Sequence, residues 1–192
     1  MVDLMGLQKR FILEHLGEGG VAVDFTMGNG NDTLFLSKTV GESGRVYAFD
    51  IQEEALTSTR EHLVSEGAPE NYTLICASHQ RVREFVREPR NAGMFNLGYL
   101  PRSGRKAVTT MRETTMPAVE AAIEMLTPDG VLIIAIYPGH EEGALEGEML
   151  REYFKTTSRF QLCPSEFRIL NSPDSPYFFV VEKSRKATMP VI

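Results

Sequence analysis

The sequence lacks several features that would place the protein in a specialised class. Only two of its 192 residues are cysteines, Cys76 and Cys163, and neither belongs to a C-x-x-C pair. No disulfide framework and no metal site are therefore predicted, and both thiols are expected to be free and buried in apolar strands. The longest apolar run, residues 131–137, is too short to cross a bilayer, so no membrane contact is expected. The charged N-terminal segment does not resemble a secretory signal, which predicts a cytoplasmic protein.

Positive charge is scarce as well. The net charge is −6 and the isoelectric point is near 5.3. Nucleic-acid-binding proteins are usually basic overall, so this balance does not favour one, although a local basic face would be enough to attract phosphates. The length and the ordinary hydrophobic content fit one globular domain, expected over residues 1–184 with a short N-terminal helix, followed by a tail at 185–192.

Strand-like and helical segments alternate along most of the chain. After an amphipathic helix at 4–16, strands are predicted at 21–26, 45–51, 72–78, 92–101, 130–139, 160–170 and 176–184. Helices are predicted between them at 32–40, 52–67, 79–88, 105–126, with a kink or restart at Pro117, and 141–158. This alternation predicts an α/β fold, a single doubly wound Rossmann-like domain whose seven-stranded sheet is mostly parallel with an antiparallel C-terminal strand. In such a sheet, ligands bind at the carboxyl ends of the strands.

Residues 21–33, VAVDFTMGNGNDT, place an acid, a glycine turn and a helix start side by side. Glycine lets the backbone turn sharply and approach a ligand, and the N–H groups of a helix N-terminus then face that ligand. The dinucleotide fingerprint requires a third glycine three residues after Gly30, where this sequence has Thr33. The pattern therefore indicates a nucleoside cofactor but breaks the signature for NAD.

Two acids refine this hypothesis. Asp50 ends the next strand, 20 residues after Gly30, where an acid accepts hydrogen bonds from ribose hydroxyls. Asp24 would be unfavourable beside a pyrophosphate but suits an ammonium group. S-adenosylmethionine (SAM) carries a ribose, an adenine and a cationic amino-acid group without phosphate, so it fits better than NAD. The alternatives are that Gly28 and Gly30 simply form a tight βα turn and that Asp24 caps a backbone amide.

The candidate cofactor-binding residues lie in four short stretches. They are Asp24, Thr26, Gly28, Asn29, Gly30, Asn31, Asp32, Thr33, Asp50, Ile51, Gln52, Ser78, His79 and Asn96. Asn29 and Asn31 either contact the cofactor or merely adopt left-handed turn geometry. Ser78 and His79 either border the adenine or cap a helix.

Polar and aromatic residues follow the fourth and fifth strands, and four of them are candidate catalytic residues. Asn96 leaves the fourth strand beside the first, where its amide oxygen would accept a hydrogen bond from a substrate amine. Tyr99 would stack on a base, or is alternatively a core residue of a turn. Tyr137 and His140 follow the fifth strand; His140 would act as a base or orienting group, or is only a surface hydrogen-bonding residue.

Basic residues after the fourth strand are candidates for phosphate contacts. They are Arg102, Arg105, Lys106 and Arg112. A second basic group comprises Arg81, Arg83, Arg87 and Arg90. For both groups the alternative is an ordinary solvated helix face balanced by acids.

Taken together, five motifs make the sequence resemble a bacterial family of small SAM-dependent methyltransferases labelled as rRNA methylases. The motifs are DFTMGNGNDT (24–33), FDIQ (49–52), SHQ (78–80), FNLGYLP (95–101) and YPGHEEG (137–143). The resemblance implies the methyltransferase fold, SAM as cofactor and an RNA substrate. It specifically implies methylation of the aminomethyl group of 5-aminomethyl-2-thiouridine at the wobble position of tRNA. The sequence departs from the family pattern at Asn31, where the family has histidine, and at residues 102–106, where the family has a glycine-rich loop.

Other functions remain open at this level. An rRNA methyltransferase or a small-molecule N-methyltransferase would use the same chemistry. An NAD-dependent oxidoreductase is disfavoured by Thr33, and a non-catalytic cofactor-binding module would bind SAM without methyl transfer. A homodimer that presents the anticodon loop and stem of a tRNA to different subunits is a further hypothesis.

Overall fold

The computed structural model describes residues 3–97, 111–139 and 141–186, and within these ranges the strands form one sheet. The strands are β1 (Val21–Asp24), β2 (Arg45–Asp50), β3 (Tyr72–Cys76), β4 (Arg90–Leu97), β5 (Leu126–Ile136), β6 (Leu162–Phe167) and β7 (Tyr177–Lys183). Their order across the sheet is β3-β2-β1-β4-β5-β7-β6, with β7 antiparallel to both of its neighbours and the other pairings parallel. The predicted doubly wound architecture is confirmed, and the winding direction changes between β1 and β4.

The helices lie close to the predicted segments. They are α1 (Leu4–His15), α2 (Asn31–Val40), α3 (Glu53–Ser65), α4 (Val82–Phe85), α5 (Arg112–Glu124) and α6 (Glu141–Lys155), with a 3₁₀ turn at His79–Arg81 before α4. The helix α5 continues through Pro117, so the restart expected there does not occur. The predicted start of this helix at 105 and the predicted end of β4 at 101 lie outside the described residues.

Both faces of the sheet are covered, as a parallel sheet requires. One face packs against α1 and α2 through residues such as Ile12 and Leu36. The other packs against α5 and α6 through residues such as Val119 and Leu150. Residues 131–136 of β5 are all at most 1% exposed, because this strand lies in the middle of the sheet between the two layers.

The strand β5 begins four residues earlier than predicted. Thr127, Pro128 and Asp129 lie between the predicted helix and the predicted strand, yet the structure places them inside the strand. Leu126 pairs with Arg90 and Val131 pairs with Ala92, so a bulge accommodates the residues between them. Asp129 has a φ of 67°, which is the local backbone distortion that such a bulge needs.

The prediction that both cysteines are buried is wrong. Cys76 and Cys163 are exposed free thiols. Cys76 ends β3 and Cys163 lies in β6, and these two strands are the edges of the sheet. Apolar composition identified both strands, but a strand at an edge has neighbours on one side only and is less completely covered than a central one.

Two further features concern the limits of the domain. Arg185, just beyond the predicted domain boundary at 184, pairs with Asp129 at 2.9 Å, while residues 187–192 of the predicted tail lie outside the described residues. The division at 184 therefore stays a prediction. In the described ranges, no helix has the length and apolar character needed to cross a membrane.

Candidate active site

The candidate site lies where the carboxyl ends of β1, β2 and β4 meet. β1 lies between β2 and β4, and Asp24 is in register with Ala48 of β2 and Met94 of β4. Asp50 and Asn96 each lie two residues beyond those partners, so both follow Asp24 toward the same end of the sheet. The order of the strands therefore brings together three polar residues that are far apart in sequence.

The glycine turn after β1 has the sharp geometry predicted from the sequence. Gly28 and Gly30 have φ values of 51° and 81°. A Cβ at Gly30 would lie only 2.9 Å from a side-chain carbon of Thr59 in α3. Close packing against α3 thus explains the glycine at this position, and a cofactor contact there stays a prediction.

The two asparagines of the turn do not adopt left-handed geometry. Among the residues that the structure describes, Asp129 is the only one other than glycine with a positive φ. Asn29 instead accepts a hydrogen bond from Ser58 at 3.3 Å, and Asn31 is the exposed first residue of α2. The left-handed alternative is wrong for both residues, and their contact with a cofactor remains a prediction.

Thr33 occupies the position of the third glycine in the dinucleotide fingerprint, and the structure shows what its side chain does there. Its hydroxyl donates to Oδ2 of Asp24 at 2.6 Å, while the backbone N–H of Thr26 donates to Oδ1 at 3.1 Å. Asp24 therefore does cap a backbone amide, as the alternative interpretation expected. The sequence analysis missed the bond from Thr33, because a side-chain contact across the turn depends on how α2 docks on β1.

The Asp24 carboxyl group is completely buried. Burial raises its pKa from 3.8 to about 7, and the neighbouring charges of Asp32 and Asp50 act in the same direction. The hydrogen bonds from Thr33 and Thr26 only partly oppose this shift. A carboxylate that is costly to ionise by itself would gain from a bound cation, because an opposite charge nearby favours the ionised form.

The raised pKa predicts a pH dependence that Asp24→Asn should remove. Because the folded-state pKa lies above the unfolded value, Asp24 contributes stability that is fully present below about pH 4 and is lost as the pH rises through about 7. Without cofactor, the free energy of unfolding of the wild type should fall relative to that of Asp24→Asn, by up to about 1.4 kcal/mol per pH unit. Urea unfolding of both proteins between pH 5 and 8 measures this difference. A difference independent of pH would contradict the prediction, and the exposed Asp174→Asn is the control.

Asp50 organises the turn while keeping further acceptor capacity. Its Oδ2 accepts the N–H of Gly28 at 3.1 Å and its Oδ1 accepts the N–H of Gln52 at 3.0 Å. A carboxylate offers about four lone-pair sites, so both oxygens can still accept hydroxyl groups. The side chain of Ile51, next in the chain, is 58% exposed and offers an apolar surface at the same place.

A cleft of about 680 Å³ opens beside Ile51 and Gln52. Residues of α3 form its other wall, including Glu53, Glu54 and Glu61. No residue lining this cleft is basic. A phosphate-bearing cofactor is therefore disfavoured here, whereas a ribose and a planar base are compatible with these groups.

His79 lies in the interior beneath the strand ends. Its ring packs edge-on against Phe95 at a centroid distance of 5.6 Å, and it forms a hydrogen bond with the main chain of Phe25. Burial lowers its pKa to about 4, so the imidazole is neutral near pH 7. Ser78 precedes the 3₁₀ turn without a side-chain cap bond, which argues against the capping alternative. Contact of either residue with an adenine stays a prediction.

Asn96 forms hydrogen bonds with three residues from other parts of the chain. Its backbone N–H donates to the hydroxyl of Thr26 at 2.7 Å, and its side-chain Nδ2 donates to Oδ2 of Asp32 at 2.6 Å. The hydroxyl of Tyr137, a partly exposed residue after β5, donates to Oδ1 of Asn96 at 3.4 Å. Burial and the nearby Asp32 raise the pKa of Tyr137. Two predicted catalytic residues are thus in contact, and Thr26 and Asp32, predicted as cofactor ligands, hold one of them.

The basic residues are only partly described. Arg112 forms an ion pair with Glu142 at 3.0 Å. Tyr99, His140, Arg102, Arg105 and Lys106 lie outside the described residues.

The second basic group does not form one free cationic face. Arg81 pairs with Glu84, Arg83 pairs with Glu124, and Arg90 is completely buried. The alternative of charges balanced by acids therefore holds for Arg81 and Arg83. Within the described residues, no set of three histidine, cysteine or acidic side chains is arranged to hold a metal ion.

Comparison with known proteins adds an independent line of evidence. Residues 46–183 match the model of a family described as "Putative rRNA methylase". The chain is 36% identical over 169 residues to a protein of Arabidopsis thaliana named "tRNA (mnm(5)s(2)U34)-methyltransferase, chloroplastic", covering 83% of this chain and 61% of that protein. A C-methyltransferase of ubiquinone and menaquinone biosynthesis from Azotobacter vinelandii is 25% identical, covering 93% of this chain and 65% of that protein. The chain thus spans less than two thirds of the length of these curated relatives.

Two solved structures match over nearly their full length. One, from Clostridium thermocellum and described as a "putative rRNA-methylase", is 36% identical with a TM-score of 0.91, covering 95% of this chain and 98% of that one. Another, a "putative methyltransferase" from Streptococcus mutans in complex with SAH, is 35% identical with a TM-score of 0.86, covering 95% and 99%.

Proposed function

Because the chain belongs to the family described as "Putative rRNA methylase", we propose that it transfers a methyl group from SAM to RNA. We further propose that the acceptor is the aminomethyl group of wobble 5-aminomethyl-2-thiouridine in tRNA. The observation that carries the proposal is the meeting of Asp24, Asp50 and Asn96 at the point where the sheet changes winding direction. The name of the Arabidopsis relative supports the choice of tRNA.

The residues of the site fit SAM. The free lone pairs of Asp50 suit two ribose hydroxyls, and exposed Ile51 suits one face of the adenine. The buried Asp24 carboxyl group favours a cationic amino-acid group. When bound, SAM supplies an electrophilic methyl group. A structural neighbour 35% identical to this chain was solved with SAH, the demethylated product of SAM, which supports the same assignment.

The chain's own residues then have to orient an amine. A neutral amine is a good nucleophile, so placing it in line and excluding water supply most of what catalysis requires. The amide oxygen of Asn96 would accept an N–H of the amine and so hold the nitrogen lone pair toward the methyl group of SAM. Tyr137, in contact with the same oxygen, offers a ring on which an extruded base could stack.

Recognition of the RNA is the second part of the proposal. A wobble base lies in the anticodon loop, where bases can be splayed out and stacked on aromatic side chains. Arg112, together with Arg102, Arg105 and Lys106, would contact phosphates, with Glu142 lowering the net charge that Arg112 offers. An rRNA substrate is the alternative. Presentation of the loop and stem by two subunits of a homodimer also belongs to the proposal, as does the cytoplasmic location predicted from the sequence.

Nucleoside mass spectrometry tests the proposed reaction. In tRNA from cells that lack this protein, 5-aminomethyl-2-thiouridine should accumulate, and the purified protein with SAM should convert it to the methylated nucleoside. If the tRNA nucleosides are unchanged and a methyl group is missing from rRNA, the substrate is rRNA rather than tRNA. Methylation of free amines but of neither RNA would support a small-molecule N-methyltransferase instead.

A further inference from the structure

The Asn96 side chain is held by a carboxylate that the transfer of a methyl group does not itself require. Asp32, in the first turn of α2, accepts a hydrogen bond of 2.6 Å from Nδ2 of Asn96. The two residues lie 64 positions apart in the chain and on different elements. The docking of α2 against the sheet brings them together beside the buried Asp24.

The chemistry of this pair fixes which way the amide faces. An ionised carboxylate only accepts hydrogen bonds, so at 2.6 Å it must meet the NH₂ group of Asn96 rather than its oxygen. The oxygen Oδ1 is thereby turned to the opposite side. There it meets the hydroxyl of Tyr137 at 3.4 Å, a long contact that leaves acceptor capacity on the oxygen.

We propose that Asp32 is a positioning residue: by holding Nδ2 of Asn96, it presents Oδ1 to the acceptor nitrogen and so selects nucleophiles that carry an N–H. This inference rests on the proposed function, because it concerns the same acceptor. It assigns to Asp32 a role different from the cofactor contact predicted from the sequence. The same arrangement would discriminate between acceptor groups. A ring nitrogen that carries no hydrogen would face the lone pairs of Oδ1 and be repelled.

The backbone of Asn96 is fixed independently of Asp32. Its N–H donates to the hydroxyl of Thr26 at 2.7 Å, which ties the end of β4 to β1. Loss of the Asp32 carboxylate should therefore leave the backbone of Asn96 in place and free only its side-chain amide to rotate. The substitution of Asp32 can then be interpreted as a change in orientation rather than a loss of the strand end.

Asp32→Asn is the variant that tests the proposal, because an asparagine can face either side of the Asn96 amide. The turnover of amine methylation should fall about 10–100-fold, the scale expected for a misaligned reactant. The affinity for SAH, measured by calorimetry, should stay within about twofold of the wild type. A large loss of SAH affinity with unchanged turnover would overturn the proposal and identify Asp32 as a cofactor ligand.

A double-mutant cycle with Asn96→Ala separates positioning from a direct role of Asp32. If Asp32 acts through Asn96, then Asp32→Asn should have no further effect on turnover in the Asn96→Ala background. Additive losses would overturn the proposal. The control is Glu42→Gln, which removes one exposed charge just beyond the other end of α2 and should leave turnover unchanged.

The side-chain NH₂ signal of Asn96 in the nuclear magnetic resonance spectrum gives a readout that needs no activity. It should shift between the wild type and Asp32→Asn and stay unchanged in Glu42→Gln. Absence of methyl transfer by the wild type to any amine would remove the proposed function and leave this signal unaffected. An Asn96 signal identical in the wild type and Asp32→Asn would overturn the positioning role whatever the activity.

Discussion

Replacing Asn96 by alanine should lower the turnover of methyl transfer by about 100-fold while changing SAH affinity by no more than about twofold. The reason is that the substitution removes the oxygen proposed to orient the amine. The backbone bond from Asn96 to Thr26 does not depend on the side chain and is retained. Single-turnover assays with saturating SAM, combined with calorimetry of SAH binding, measure both quantities.

A matched substitution controls for general effects of removing an amide. Asn171 is exposed in the loop between β6 and β7, far along the sheet from β1, so Asn171→Ala should have wild-type turnover. Turnover of Asn96→Ala equal to that of Asn171→Ala would remove Asn96 from the reaction. A loss confined to SAH affinity would instead make it a cofactor ligand.

Replacing Asp50 by alanine should weaken the binding of SAM and SAH by about 1–3 kcal/mol, or roughly 5–150-fold. Two losses combine in this variant. The ribose loses its charged acceptor, and the backbone N–H groups of Gly28 and Gln52 lose the carboxylate that holds them. Calorimetry gives the affinity, and turnover at saturating SAM should be affected much less than affinity.

The exposed Asp174→Ala is the control for Asp50, since it removes one aspartate without touching the site. Unchanged affinity of Asp50→Ala would contradict the ribose assignment. Loss of turnover at saturating SAM with unchanged affinity would place Asp50 at the acceptor side of the site instead.

The positions of the main site residues followed from the order of the elements. Alternating strands and helices predict a parallel sheet, and in such a sheet the ends of β1, β2 and β4 lie at one edge. Asn96 was therefore expected beside Asp24 although they are 72 positions apart. The confirmed strand order is the structural reason that this expectation could be made from the sequence.

The side-chain bonds inside the site could not be predicted in the same way. Whether Thr33 meets Asp24, and whether Asp32 meets Asn96, depends on the angle and depth at which α2 docks on the sheet. The exposure of Cys76 depends on which strands form the edges of the sheet, and the composition of a short apolar strand carries little information about that. Residues 127–129 were left outside the predicted strand because a bulge inside a strand uses the same residue types as a loop.

The hydroxyl of Thr26 helps to set the spacing between the end of β1 and the end of β4. The N–H of Phe25 bonds to the carbonyl of Met94 at 2.9 Å, and the N–H of Asn96 then bonds to Thr26, so a side chain adds one more rung after the main-chain ladder ends. These bonds fix the position of Asp24 on β1 relative to Asn96 on β4. A slip of one residue between β1 and β4 would turn Asn96 to the opposite face of the sheet. In the proposed reaction, the distance between the cofactor and the amine would therefore depend on the pairing of β1 with β4 rather than on the surrounding loops.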